Sequence, residues 1–207
     1  MEEKKTAHQL LADSIKFVLV GTTHPGNIGA SARAIKTMGL SKLFLVNPKD
    51  FPNDVAFYRA KAAKDVLEQA EIHPDLFSAT KDCELIIGTS ARNRKIPWPL
   101  VSPREASQEI VQALQQGVNK VAVVFGREDR GLTNEELGMC NLHVHIPTNE
   151  EYSSLNLSQA VQILSYETRL AMLEHYDLVE KPEWDVELAD NEQTERLITH
   201  LDELMQE

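Results

Sequence analysis

Val121-Ala122-Val123-Val124-Phe125-Gly126-Arg127-Glu128-Asp129-Arg130-Gly131-Leu132 joins five uninterrupted apolar residues to four consecutive charges held between two glycines. The apolar run reads as a buried strand stopped by Gly126. Strands whose apolar runs are nearly continuous belong to parallel sheets covered by helices, so the segment points to an α/β domain. The charged loop has two readings. Gly126 lets a ligand approach the backbone closely and Glu128 fixes a positive or hydroxyl-bearing group, or the four charges form a salt-bridged turn.

Outward from this segment, strands and helices alternate. Lys16-Phe17-Val18-Leu19-Val20 is a short apolar run ended by Gly21, and Leu43–Val46 and Glu84–Ile87 are two more. Between the first two, Ile28, Ala32 and Ile35 fall at helical spacing, with Asn27 as the expected N-cap and Gly39 as the stop. Residues 54–70 read as an interrupted, Ala-rich helix. Ser102-Pro103-Arg104-Glu105 supplies a cap, a first-turn proline and an early acid for a helix to about Gln116, and Thr133-Asn134-Glu135-Glu136 opens a short one. His143–Pro147 reads as a strand and Leu155 to about Leu173 as a long helix.

Composition bounds the function. The 207 residues carry a net charge of −11, yet residues 174–207 hold 12 acidic and 2 basic side chains, so the other 173 hold 20 acidic and 19 basic. The main domain is nearly neutral, so binding to a nucleic acid would depend there on local clusters, for which Arg59/Lys61/Lys64 and Arg92/Arg94/Lys95 are candidates, unless these are scattered solvated charges. No apolar run is long enough for a membrane span, and Met1–Lys5 lacks the apolar core of a signal peptide. Cys83 and Cys140 stand far apart, outside any CxxC pattern, which fits a reducing cytoplasm. His143-x-His145 has no nearby Cys or acidic ligand and reads as structural, so no metal is expected. The domain is expected over 1–176. Residues 177–207 read as an acidic linker and the start of an amphipathic helix with Leu197, Leu201 and Leu204 on one stripe, truncated at its end.

Two further loops follow strand ends, where open α/β sheets bind ligands. In Pro25-Gly26-Asn27-Ile28-Gly29-Ala30-Ser31-Ala32-Arg33-Ala34, the two glycines expose backbone N–H groups to an anion and Arg33 reaches a phosphate, or the segment is a capped helix with a surface arginine. It lacks both the three-glycine dinucleotide spacing and the GK[ST] of a P-loop, and no G-x-S-x-G elbow occurs in the chain. In Ile146-Pro147 … Glu151-Tyr152-Ser153-Ser154-Leu155-Asn156-Leu157-Ser158, hydroxyls and an amide interleaved with leucines exceed what capping one helix requires.

N-x-x-x-x-x-R after the first strand, then G-x-E-x-x-G-L, then I-P … S-S-L-N-L-S, resembles the three ordered motifs of the SPOUT-class RNA 2′-O-methyltransferases. G-T-S-A-R-x-R with P-W-P at Gly88–Pro99 is similar to the TrmJ-like tRNA (cytidine/uridine-2′-O-)-methyltransferase family. The similarity runs from about Ile15 to Leu173. The resemblance implies the SPOUT (α/β knot) fold, a parallel sheet flanked by helices with a C-terminal deep trefoil knot, a homodimer, and methylation of a ribose 2′-OH at tRNA nucleotide 32 with S-adenosylmethionine. It implies that Thr89, Ser90, Ala91, Gly126, Ile146, Ser153, Ser154 and Leu155 bind the cofactor, that Arg33, Asn27, Glu128, Ser154 and Asn156 are catalytic, and that Arg33, Arg92, Arg94 and Lys95 meet RNA. Ribosomal RNA as substrate and a non-catalytic RNA-binding module are the alternatives.

Overall fold

The computed structural model describes residues 13–90, 100–149, 151–152, 154–175 and 190–206. Among them, seven strands form one sheet: β1 Ile15–Val20, β2 Lys42–Val46, β3 Glu71–His73, β4 Leu85–Thr89, β5 Leu100–Val101, β6 Val121–Phe125 and β7 Leu142–Val144. All pair in parallel in the order β3-β2-β1-β6-β4-β7-β5, as the apolar runs predict. β7 inserts between β4 and β5, the two strands that flank residues 91–99, which is the interleaving that the expected knot requires.

The strand residues divide between two cores by the two-residue period of a strand. Ile15, Phe17 and Leu19 of β1, Leu43 and Leu45 of β2, and Val121, Val123 and Phe125 of β6 enter one cluster. Val18, Val20, Phe44, Val46, Ala122 and Val124 enter the other. The first face is covered by α1 (Pro25–Thr37), α5 (Pro103–Gln115) and α7 (Leu157–His175), which contribute Ile28, Ile35, Ile110, Val161 and Leu164. Phe17 and Phe125 stack there with ring centroids 6.0 Å apart. Among the described residues, the second face meets the short helices α4 (Leu76–Thr80) and α6 (Asn134–Gly138), through Leu76, Ala79 and Leu137, and Leu132 of the loop after β6.

Lys16, nearly buried in β1, is tolerated because Asp82 lies 2.6 Å from its ammonium and the Phe44 ring 4.7 Å away. Asp82 also meets Lys120 at 2.8 Å. Burial works to raise the Asp82 carboxyl, but the two ammonium groups outweigh it and hold it well below the usual carboxylate range.

Several local expectations are corrected. α1 starts at Pro25, not after Asn27. The cap is His24, whose Nδ1 accepts from the Gly26 N–H at 3.0 Å, while proline occupies the first turn. Gly39 does end the helix: at φ +78 it lets the Leu40 N–H return to the Ile35 carbonyl at 3.1 Å. The 54–70 helix is interrupted as expected, into α2 (Asp54–Ala60), a 3₁₀ turn at Lys61–Ala63 and α3 (Lys64–Glu68), with Lys61 at φ +54. β3, α4 and β5 were not anticipated. α8 (Asn191–Gln206) belongs to a second unit beginning at Leu178, and Leu197, Leu201 and Leu204 are exposed on it.

Gly29 has a packing reason of its own. A Cβ there would stand 2.0 Å from the Ala56 carbonyl oxygen, a backbone atom of the helix crossing α1. Alanine raises helix propensity by about 1 kcal/mol, but forcing two backbones apart costs more. Gly29→Ala is expected to lower stability by about 2 kcal/mol and the melting temperature by about 4–8 °C; calorimetry showing an unchanged or raised midpoint would refute the tight crossing.

Candidate active site

Parallel pairing brings the carboxyl ends of β1, β6, β4 and β7 side by side on one sheet edge. Register sets the neighbours: Leu19 lies beside Phe125, Gly88 beside Val124, and Thr89 beside Val144. The loops that leave β4, β6 and β7 therefore meet, and they line a cavity of about 270 Å³.

Thr89, Ser90, Gly126, Ile146, Ser154 and Leu155 all line this cavity. Ala91, Ser153, Arg92, Arg94 and Lys95 lie outside the described residues. Val144, Ile146, Leu155 and Leu157 give the cavity an apolar wall, while Ser90, Asp129, Thr148 and Ser154 add polar groups. An apolar wall for a flat ring, with a few convergent hydroxyls and a carboxylate, suits a nucleoside-like ligand. Thr148, Asp129 and Gly131 are lining residues that the sequence reading did not select.

The loop after β6 is tight. Arg127 and Gly131 exchange backbone hydrogen bonds of 3.3 and 2.9 Å, and Gly131 takes φ +72. A Cβ on Gly126 would lie 2.1 Å from the Gly131 carbonyl carbon and 2.2 Å from the Leu132 nitrogen. The close approach inferred for Gly126 is therefore made first by the protein's own backbone. Within the charged cluster the salt-bridge reading holds for Arg127, whereas the Glu128 carboxylate is taken up by groups of the protein itself. Arg127 donates to both carboxylate oxygens of Glu136 at 2.9 Å each and ties the loop to α6, while Glu128 turns toward α1.

Glu128 accepts from the Thr23 N–H at 3.1 Å, the Thr23 hydroxyl at 3.1 Å, the His24 N–H at 3.3 Å and the Asn27 amide at 3.0 Å. Partial burial acts to raise its carboxyl, but these donors together outweigh that and hold it below its ordinary value. Asn27 Oδ1 accepts in turn from Asn156 Nδ2 at 3.0 Å, and Asn156 Oδ1 accepts from the Ser158 N–H and hydroxyl at 2.9 and 2.7 Å. Thus Asn27 from the first turn of α1, Glu128 from the loop after β6 and Asn156 from the start of α7 form one connected group. Asn156 caps α7, and Gln159 answers by accepting from the Asn156 N–H at 3.1 Å.

Arg33 is exposed on α1, is not part of the cavity wall, and its guanidinium makes no hydrogen bond or ion pair among the described residues. Arg59, Lys61 and Lys64 are exposed around the 3₁₀ turn, with the Lys61 ammonium 4.0 Å from the centroid of the Tyr58 ring. His143 Nε2 lies 3.0 Å from the Leu137 carbonyl and His145 Nδ1 3.2 Å from that of Ser90, so both rings serve backbone groups. Burial pushes the Cys83 thiol up to about 11 and the Cys140 thiol up to about 12, which leaves neither as a nucleophile near neutral pH.

A parallel sheet with β7 inserted between β4 and β5, carrying its ligand loops on that edge, defines the SPOUT class of methyltransferase folds. Residues 14–166 match the SpoU rRNA Methylase family, and the chain belongs to that family. It is 52% identical over 163 residues to the tRNA (cytidine/uridine/adenosine-2′-O-)-methyltransferase TrmJ of Pseudomonas aeruginosa (strain UCBPP-PA14), covering 79% of this chain and 63% of that protein. It is 47% identical over 192 residues to the tRNA (cytidine/uridine-2′-O-)-methyltransferase TrmJ of Photorhabdus laumondii subsp. laumondii, covering 93% of this chain and 79% of that protein. Among solved structures, a probable methylase family protein from Haemophilus influenzae Rd KW20 superposes with a TM-score of 0.76 at 40% identity, over 94% of this chain and 80% of that one. The SpoU methyltransferase AviRb from Streptomyces viridochromogenes, solved in complex with the cofactor AdoMet, shares the fold at 19% identity and a TM-score of 0.59, over 79% of this chain and 58% of that one.

Proposed function

We propose that this chain transfers a methyl group from S-adenosylmethionine to a ribose 2′-OH of tRNA, at nucleotide 32 of the anticodon loop, as a cytoplasmic homodimer without a metal. The observation that carries the reading is the convergence of Gly126, Ile146 and Leu155 on one cavity from three different loops. Its apolar wall suits an adenine ring, and its hydroxyls and the Asp129 carboxylate suit a ribose and an ammonium group. The cofactor supplies the activated methyl group, so the protein's work is to position the acceptor and dispose of one proton. A tRNA substrate is favoured over ribosomal RNA because the relatives that are 52% and 47% identical are named for tRNA.

Arg33 holds the phosphate beside the target ribose. Its guanidinium, exposed and without a hydrogen bond or ion pair among the described residues, suits that contact. It is a poor proton acceptor, since an arginine stays protonated at any ordinary pH, so the 2′-OH proton leaves by way of phosphate or water. Because Arg33 stands outside the cavity wall of a single chain, it serves the site formed when two copies pair. Ser154 lines the cavity and presents its hydroxyl to the cofactor or the reacting 2′-OH. Residues 91–95 add the basic RNA contacts expected of Arg92, Arg94 and Lys95.

The test is mass spectrometry of tRNA after incubation with the protein and labelled S-adenosylmethionine. A 2′-O-methyl group at nucleotide 32 is the expected product. Label entering only ribosomal RNA would move the substrate, and no label in either RNA would reject the activity.

A further inference from the structure

We propose that Glu128 is a positioning residue: it anchors a polarised hydrogen-bond relay, Thr23–Glu128–Asn27–Asn156–Ser158, through which the loop after β1 sets the start of α7 and so the cavity wall beside it. The relay stands on geometry alone, and only its activity readout rests on the function proposed above.

A carboxylate offers about four lone-pair sites. In Glu128 each oxygen already has two donors: Thr23 N–H and hydroxyl on Oε2, His24 N–H and Asn27 Nδ2 on Oε1. Nothing is left over for a ligand. Because a carboxylate only accepts, Asn27 must turn its Nδ2 toward Glu128, which leaves its Oδ1 for Asn156 Nδ2. Asn156 then has its Oδ1 facing Ser158, whose main-chain N–H opens α7 and can only donate. With an acceptor-only group at one end and a donor-only group at the other, both amides between them have a single permitted orientation. Ser154 and Leu155, just before Asn156, line the cavity, so the point where α7 begins places that wall. Thr23 enters through its main-chain N–H and its hydroxyl alike.

The relay's polarity makes a specific prediction about paired changes. Glu128→Gln introduces an amide that points donors either at Thr23 or at Asn27 Nδ2. If Asn27 turns over to accept, Asn156 must turn as well and loses its bond from the Ser158 N–H. Asn27→Asp alone sets two carboxylates against each other. Combined, the introduced amide donates to the introduced carboxylate, whose other oxygen still accepts from Asn156. Only the 3.3 Å contact from the His24 N–H loses its acceptor.

The experiment compares the wild-type chain, E128Q, N27D and the double variant by melting temperature and by kcat/KM for methyl transfer to tRNA. Each single change is expected to lower the midpoint by about 5 °C and kcat/KM by about tenfold or more. The double variant is expected to return to within about 2 °C and about threefold of the wild type. If a single variant fails to fold, folding of the double variant is itself the rescue. A double variant no better than the worse single overturns the relay, because the Glu128 charge would then be acting on something other than Asn27. A wild type that methylates no RNA removes the function proposed above, and the four melting temperatures still decide on the relay.

Discussion

Gly126→Ala is expected to abolish cofactor binding, taking the dissociation constant up by at least about 100-fold, and to lower stability by about 3 kcal/mol. The methyl group would sit 2.1 Å from one backbone atom of the 126–132 loop and 2.2 Å from another, and neither is a side chain that can swing aside. The loop cannot simply slide. Leu132 is buried at its far end, and Arg127 is clamped to Glu136 by two bonds of 2.9 Å. Relief has to come from opening the Arg127–Gly131 turn, whose residues form one wall of the cavity. Gly138→Ala is the control: nothing lies within 4 Å of the added carbon, and it ends a short helix where alanine is favoured. Isothermal titration with S-adenosylmethionine separates the two, and equal affinities would show that the loop after β6 does not shape the pocket.

Arg33→Ala is expected to cut kcat/KM by about 100-fold or more while leaving the melting temperature within about 1 °C of the wild type. Its guanidinium supports no contact among the described residues, so truncation has little structural cost. Arg33→Lys should recover only part of the loss, since an ammonium cannot reproduce a two-point grip on phosphate. Methylation of tRNA at the wild-type rate by the alanine variant would remove Arg33 from the mechanism.

β1, β2 and β6 were legible because each carries an unbroken apolar run, Phe17–Val20, Leu43–Val46 and Val121–Phe125, that is buried on both faces. β3 and β5 were not, since they form the two edges of the sheet, have one neighbour each, and span three and two residues. Capping explains another miss. His24 accepts with a ring nitrogen, an uncommon way to start a helix, whereas Asn27 has the composition of a cap but spends its amide on Glu128 and Asn156. The glycines show the same division. That Gly29 and Gly126 matter is visible in a sequence, but their reasons are Ala56 and the Gly131–Leu132 peptide, contacts that only the folded chain creates.

At the site, the motif residues Asn27, Glu128 and Asn156 are brought together through their side chains, whereas Arg33, from the same motifs, stands outside the cavity wall. Thr23 and His24 escaped notice because they reach Glu128 chiefly through main-chain N–H groups, which leave no mark on residue choice. The role of Glu128 was likewise hidden. A lone acid after a glycine suggests a group aimed at a ligand, whereas four donors from the preceding loop and helix use up its oxygens.

A crystal structure of the protein grown with S-adenosylmethionine tests the central claim most directly. The predicted result is one cofactor molecule per chain in contact with the loops of Gly126, Ile146 and Leu155 together, its adenine against the Ile146–Leu155 wall. A cofactor bound elsewhere on the chain, or held by only one of those loops, would contradict the account.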